Sequence, residues 1–306
     1  MPPRDPSTSR REALRLMAAA IAGGACLPRA LDALSPHTVP TAMPQSPPRA
    51  GSPAIDRERI EAIGLQLYTV RSALSRDLEG TLDAIAAAGI TELEFAGYYN
   101  KPAAWWQEQM HRRGVTAPST HIGFPATDAD WEPQFAMAQA MGHQWVIVPS
   151  LRADWHTADG YHRAAERLMQ AAGLAKAHGL RMGYHNHDAE FAPLAGSAEH
   201  GFAILLANTD AALIDFELDL YWAVKAGQDP LALIRTHGAR IACCHVKDAG
   251  PAPAREMLDV GAGTIDFKTI LSVGRAAGLR HWYIEHDQPT NPLASIAASA
   301  AAMRRY

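Results

Sequence analysis

Four short segments in the C-terminal half of the chain carry groups suited to holding a divalent metal. They are Tyr184-His185-Asn186-His187-Asp188, Asp215-Phe216-Glu217-Leu218-Asp219, Cys243-Cys244-His245-Val246-Lys247-Asp248 and Tyr283-Ile284-Glu285-His286-Asp287. Side chains alternate along a strand, so His185 shares a face with His187, Glu217 with Asp219, His245 with Lys247, and Glu285 with Asp287. Asp219, His245 and Glu285 then offer two carboxylates and one imidazole, a set that suits Mn²⁺, Mg²⁺, Co²⁺ or Zn²⁺, with His185 or Glu217 as the fourth donor. Taken singly, each residue reads as a solvated or salt-bridged strand end. Gathered in one place, five such groups would be costly to desolvate without a cation.

Convergence requires that these segments be the carboxyl ends of parallel strands. Apolar, β-rich runs begin near Ile63, Ile90, Thr116, Trp145, Arg181, Ala212, Ile241 and Trp282, a spacing of about thirty residues that fits one βα unit each. Between them the pattern predicts helices over Leu78–Ala88, Ala103–Arg113, Ala129–Met141, Tyr161–His178, Pro230–His237 and Phe267–Ala277, with Gly89, Gly114, Gly142, Gly179, Gly238 and Gly278 as C-caps. Alternating units leave an open doubly wound sheet or a closed barrel. Gly64-Leu65-Gln66-Leu67-Tyr68 runs straight into Thr69-Val70-Arg71 with no Gly-rich phosphate loop, which favours a single-domain α/β (β/α)8 TIM barrel over residues 56–306.

Apolar residues make up 48% and charged residues 20% of the 306, which excludes a disordered chain or a coiled coil. The net charge of −4 and the lack of a basic run in the body disfavour nucleic acid. Cys243 and Cys244 point to opposite faces of one strand, and with Cys26 they form no disulfide framework. Cys243 shares the face of His245 but reads first as a small core residue.

The first 33 residues read as a twin-arginine signal peptide. Arg10-Arg11 precedes a weakly apolar run, Leu16 to Leu27, too short to span a bilayer. Cys26 raises lipid attachment, but the Leu expected three residues earlier is missing, so soluble periplasmic export is the better reading. Residues 34–55, with six prolines between Pro36 and Pro53, read as an unstructured linker. No stable membrane insertion is expected after processing, and an exported enzyme would meet free sugars rather than phosphorylated ones.

Residues 63–303 resemble the sugar phosphate isomerase/epimerase family, the xylose-isomerase-like barrels. The resemblance rests on the Gly64–Arg71 segment, Gly183-Tyr184-His185-Asn186-His187, Glu217-Leu218-Asp219-Leu220-Tyr221-Trp222, His245-Val246-Lys247-Asp248, Gly261–Phe267 and Tyr283-Ile284-Glu285. Better-known members bind a divalent ion through Glu, Asp, His and Glu from strands five to eight, which implies Asp219, His245 and Glu285 as the last three ligands. The family's Glu-Asn-His stands here as His185-Asn186-His187, and its Asp-x-x-His as Asp219-Leu220-Tyr221-Trp222. In two-base ketose epimerases of this kind, paired glutamates carry protons on opposite faces of the substrate. One of them is missing here. Either Glu217 or Glu190 replaces it, or His185 serves as base, or the reaction needs one base and one acid, as in β-elimination beside a ketone.

The resemblance implies a divalent-metal-dependent sugar isomerase or epimerase acting through an enediolate on a free ketose or keto-sugar, with Glu285 as acid/base. Glu217, His185 and Lys247 are the further catalytic candidates, Lys247 as a holder of a substrate oxygen or as a rim partner of Asp287. His121, His187, Trp222, Gln66 and Glu94 are candidates for contacting the sugar. A lyase or hydratase acting on a 3-keto-glycoside or inosose by one-base elimination, with His185 or His187 as base, is the alternative. A non-catalytic sugar-binding module is a third reading. The expected partner is a small-molecule sugar, and the sequence leaves homo-oligomerisation open.

Overall fold

The computed structural model describes residues 62–306, so the expected signal peptide and linker lie outside the described residues. Ten strands occur in chain order: β1 Gly64–Gln66, β2 Glu92–Phe95, β3 Thr116–His121, β4 Trp145–Val148, β5 Arg181–His185, β6 Ile214–Asp219, β7 Ile241–Val246, β8 Asp248–Ala249, β9 Met257–Leu258 and β10 His281–Ile284. All but β8 and β9 close a parallel barrel in the order β1-β10-β7-β6-β5-β4-β3-β2. β8 and β9 pair antiparallel as a small hairpin after β7. The chain therefore adopts a TIM barrel, each barrel strand starting within two residues of the start read from the apolar runs.

Alternation sorts the strand residues into two environments. One set, including Leu65, Leu93, Phe95, Val146, Met182, Phe216, Leu218, Val246, Trp282 and Ile284, joins the helices in the main apolar core. The other faces the barrel axis. There the apolar content shrinks to Ile147, Cys243 and Tyr283, with Trp145 and Ala242 against them. Cys243 is thus a packed core residue, and both Cys243 and Cys244 are free thiols. A barrel axis is ordinarily filled by layers of branched apolar side chains. This one carries a single thin apolar layer, and ionisable residues occupy the space toward its carboxyl end. Gly64 permits that layer, because a Cβ there would collide with the Tyr283 ring on the neighbouring strand.

The helices form for local reasons that also dock them. In Ala158–Ala175, the Thr157 hydroxyl caps the first turn by accepting the Gly160 N–H at 3.1 Å. Its buried row of Tyr161, Ala164, Ala165, Leu168, Ala171, Ala172 and Ala175 repeats at three and four residues. Burying Leu168 alone contributes on the order of 2 kcal/mol. The helix starts earlier and ends earlier than Tyr161–His178, because Lys176–His178 tightens into a 3-10 turn before Gly179. Gly114, Gly142, Gly179 and Gly278 close their helices in the left-handed conformation. Gly238 does not. It is right-handed (φ −54°) and leads into a 3-10 turn over Gly238–Arg240. Helices over Gly201–Ala207, Leu220–Lys225 and Pro292–Met303 lie outside the sequence expectations. Among the described residues no helix is long and apolar enough to cross a membrane.

Candidate active site

Strand ends deliver the ionisable groups. His121, His185 and Asp219 are the last residues of β3, β5 and β6, His245 is next to last in β7, and Lys247 and Glu285 directly follow β7 and β10. Register sets their depth: Asp219 lies beside His245, whereas Glu217 lies beside His185 and Cys243, one step nearer the apolar layer. Two tiers result. In the upper tier His185 Nε2 is 3.6 Å and His245 Nδ1 3.8 Å from Asp219 Oδ2, and His245 Nδ1 is 2.7 Å from Glu285 Oε2. Lys247 Nζ is bound by Asp219 at 2.8 Å, Glu285 at 2.7 Å and Asp287 at 2.8 Å.

The lower tier is sealed. Glu217 Oε2 lies 3.0 Å from His185 Nδ1, 2.7 Å from His121 Nε2 and 3.1 Å from His245 Nε2. Glu94 Oε1 sits 2.6 Å from His245 Nε2 and accepts a hydrogen bond from Gln66 Nε2 at 2.7 Å, while its other oxygen accepts from the Ser119 hydroxyl. Each of His185 and His245 therefore turns one ring nitrogen to the upper carboxylates and the other to Glu217. Such a rear carboxylate fixes the tautomer and orientation of a ligating imidazole.

Loops behind the strand ends aim these groups. Asp219 caps the Leu220–Lys225 helix, its Oδ1 accepting the Trp222 N–H at 2.9 Å, which leaves Oδ2 turned to the site. Asn186, fully buried, accepts the Asp219 N–H at 3.0 Å and ties β5 to β6. Glu190 accepts the Tyr184 hydroxyl and the His187 N–H, both at 2.7 Å, so it anchors the loop after β5 and is engaged away from the reaction site. Asp248 accepts four backbone N–H groups, from Ala249, Gly261, Gly263 and Ile265, and thereby folds the segment that carries the β8–β9 hairpin. Sequence reasoning missed Asn186 and Asp248. The one signal available was an Asn between two histidines and an Asp before Gly261-Ala262-Gly263.

Burial alone would neutralise most of these groups, and their mutual charges decide otherwise. For His121, burial favours the neutral ring, but Glu94 and Glu217 outweigh it and raise the imidazole to about 9. For His245, burial is likewise overcome by Glu217 and Glu285, which hold it well above its ordinary value. His185 goes the other way: burial and then the neighbouring cations keep it neutral far below the usual range. His187 is lowered to about 3, by burial and by Lys247. Burial pushes Asp219 up to about 6 against the pull of Lys247 and His245. Burial also disfavours charge on Glu285 and on Lys247, yet their attraction, with His245 and Asp219, keeps both ionised.

Among the described residues one buried carboxylate oxygen, Glu217 Oε1, accepts no hydrogen bond, and Asp219 Oδ2 has Lys247 Nζ at 2.8 Å with the two imidazole nitrogens farther off. Uncompensated buried carboxylate oxygens are costly, and a divalent cation relieves that cost. Two sets of donors lie within 4.8 Å of one another, His121-His185-Glu217-His245 and Asp219-His245-Glu285. Carboxylate and imidazole donors of this kind suit first-row divalent metals, and the residues fit such an ion.

The upper tier opens into a cavity of about 480 Å³ lined by His121, His185, His187, Lys247, Glu285 and Asp287 together with Tyr68, Ala96, Pro149, Ser150 and Gln288. Gln66 and Glu94 do not reach it. Both are fully buried and bonded to each other in the lower tier, so the expectation that they contact a sugar is corrected: they support His245 and His121. Trp222 stands behind His187, ring centroids 5.4 Å apart, with Lys247 Nζ 5.9 Å from its ring, and is not part of the lining.

Residues 82–306 match the family described as "Xylose isomerase-like TIM barrel". No curated protein matches the chain. Among solved structures, two proteins of Parabacteroides distasonis ATCC 8503, each described as a sugar phosphate isomerase/epimerase, superpose closely. One is 25% identical with a TM-score of 0.69, over 82% of this chain and 95% of that one. The other is 23% identical with a TM-score of 0.71, over 78% and 96%. A barrel described as the IOLI protein with a bound zinc atom shares the fold at 13% identity and a TM-score of 0.61, over 79% and 96%.

Proposed function

Because the chain belongs to the xylose isomerase-like TIM barrel family, we propose that it is a divalent-metal-dependent enzyme that moves a proton beside the carbonyl of an unphosphorylated ketose or keto-sugar, as an isomerase or epimerase. The observation that carries this reading is the convergence of His185, Asp219, His245 and Glu285 at strand ends, with His185 and Glu285 lining the cavity and Asp219 and His245 buried directly beneath it. These four residues would hold the metal. When bound, a divalent ion supplies electrophilic stabilisation of negative charge developing on a sugar oxygen.

The protein's own groups account for the rest. Glu217 would orient His185 and His245 from behind. Lys247, bound to three carboxylates, presents a fixed cation at the cavity wall, where it would stabilise an oxyanion. His187 lines the cavity, and among the described residues its ring nitrogens have no hydrogen-bond partner. Its lone pair is free to take a proton from carbon, and because burial and Lys247 lower the imidazole to about 3 it is a weak base that depends on a carbon acidified by a polarised carbonyl beside it. Glu285 is less suited, since its Oε2 is already engaged by His245 and Lys247. A single base rather than a pair of glutamates keeps a lyase or hydratase as the second reading.

The absence of phosphate from the substrate follows from charge. Among the described residues, Lys247 is the only Lys or Arg lining the cavity, and with Asp219, Glu285 and Asp287 around it a phosphate dianion would meet more negative than positive charge. An exported enzyme acting in the periplasm fits the same substrate. The test is incubation with a panel of free ketoses and keto-sugars in D₂O with added Mn²⁺, Co²⁺ or Zn²⁺. Exchange of a carbon-bound hydrogen, seen by NMR and lost in His187→Ala, is expected, and product identity separates isomerase from lyase. Absence of exchange across the panel would contradict the proposal.

A further inference from the structure

The cavity has more wall than one reacting ring requires. Its ionisable part is set at or near the strand ends, while Tyr68, Ser150 and Gln288 stand two to four residues beyond the last residues of β1, β4 and β10, at Gln66, Val148 and Ile284. With Ala96 and Pro149 these make an uncharged outer wall. Tyr68 is its largest member and is 44% exposed. The other large exposed apolar side chains among the described residues, Leu174 and Leu293, line no part of this cavity.

Tyr68 is also held in place. The Arg71 guanidinium lies 3.8 Å from the ring centroid and donates a hydrogen bond to the Tyr68 carbonyl at 2.7 Å. A cation on one face of an aromatic ring is attractive, and the arrangement fixes the plane of the ring before any ligand arrives. We infer that Tyr68, backed by Arg71, is the platform of an outer subsite that stacks on the CH face of a second sugar ring, so that the substrate is a glycoside of at least two rings. The inference rests on the proposed function for the inner, reacting ring. The physical basis is that a pyranose presents an apolar CH face to an aromatic ring, whereas its hydroxyls at the ring edge can meet polar groups such as Ser150 and Gln288. Arg71 is committed to the ring and to the carbonyl, which leaves no phosphate clamp at this position.

The test measures binding apart from turnover. Dissociation constants for methyl β-D-glucoside, cellobiose and phenyl β-D-glucoside are determined by ligand-observed NMR on the full chain, for wild type, Tyr68→Ala and Tyr68→Phe. Cellobiose should bind about five- to tenfold more tightly than the methyl glucoside, in the range of one aromatic stacking contact. Tyr68→Ala should collapse that ratio to about one, and Tyr68→Phe should keep it. Equal affinities in wild type, or a ratio that survives Tyr68→Ala, would overturn the inference, and a gain confined to the phenyl glycoside would overturn the second-sugar assignment in favour of an aryl group. Failure of the proposed function would show separately, as missing deuterium exchange with the cellobiose preference intact.

Discussion

The same strands place charged residues at both ends of this barrel, with opposite results. At the amino end, Arg181 of β5 pairs with Asp215 of β6, Trp145 donates to Asp215 at 2.8 Å, and His281 of β10 meets Glu92 of β2 at 2.9 Å. Each of these charges has an opposite partner, and neither Asp215 nor Glu92 has a buried oxygen without a hydrogen bond. Two to four residues further along the same strands, His185, Asp219, Glu285 and Glu94 crowd with Glu217, His245 and Lys247, and the buried Glu217 Oε1 goes unpartnered. Paired charges can be explained by stability alone. A surplus of buried carboxylates costs stability and needs another cause, and a bound cation supplies one.

The largest effect that would break this contrast concerns Asp219 and Asp215, two carboxylates on one face of β6. Asp219→Ala should lower kcat/KM on the substrate identified by deuterium exchange by on the order of 10³-fold, since it removes a metal ligand. Asp215→Ala should instead leave turnover near wild type and cost about 1–2 kcal/mol in urea unfolding, through the exposed-edge partner Arg181. Comparable activity losses in both variants would erase the distinction between the ends. Next, His187→Ala should cost about 10²–10⁴-fold in kcat with metal content retained, the range of a general base. His281→Ala should not reduce kcat, and a shared loss would mean that His187 acts only through packing.

Glu217→Gln sharpens the contrast between the two tiers. It keeps every upper-tier ligand and the side-chain shape but removes the charge behind His185 and His245, so metal affinity should fall about 10- to 100-fold in a chelator competition. Unchanged affinity would show that the lower carboxylate is not an orienting group. The smallest effect concerns a buried histidine without carboxylate contacts. His143 donates from Nδ1 to the Ala117 carbonyl at 2.7 Å, its Nε2 has no partner, and burial lowers it to about 4, whereas His121, facing Glu94 and Glu217, is raised to about 9. Between about 6.5 and 4 the unfolded chain binds the proton that folded His143 refuses, so its contribution is complete above about 6.5 and is lost as pH falls toward 4. That loss amounts to about 3 kcal/mol at most. Urea melts at pH 7.5 and 5 should therefore diverge less for His143→Gln than for wild type, and equal divergence would sink the assignment.

Much of this was legible in the sequence because it depends on period and spacing. The two-residue alternation placed Asp219, His245 and Glu285 on inward faces, and the repeating βα unit gave the barrel. What could not be read depends on register between strands. Glu217 and Asp219 share a face, so spacing alone left either His185 or Glu217 as the fourth donor; pairing with Cys243 puts Glu217 a tier below. Gln66 and Glu94 have the right parity for the site but lie beneath it for the same reason. Asn186, Glu190 and Asp248 act through backbone N–H groups of other segments, which no pattern within their own segments reveals. The Leu220–Lys225 helix was missed because it begins at Asp219 itself, which ends a strand and caps a helix at once.

The most direct test of the metal centre is the metal content of the purified protein by mass spectrometry, after loading with a mixture of Mn²⁺, Co²⁺ and Zn²⁺ and gel filtration. It should be run for wild type beside Asp219→Ala, His185→Ala and Glu217→Gln. Near-stoichiometric divalent metal in wild type, lost in the first two variants and reduced but present in the third, is the predicted result. Wild type that takes up no metal, or Asp219→Ala that holds it as wild type does, would contradict the account.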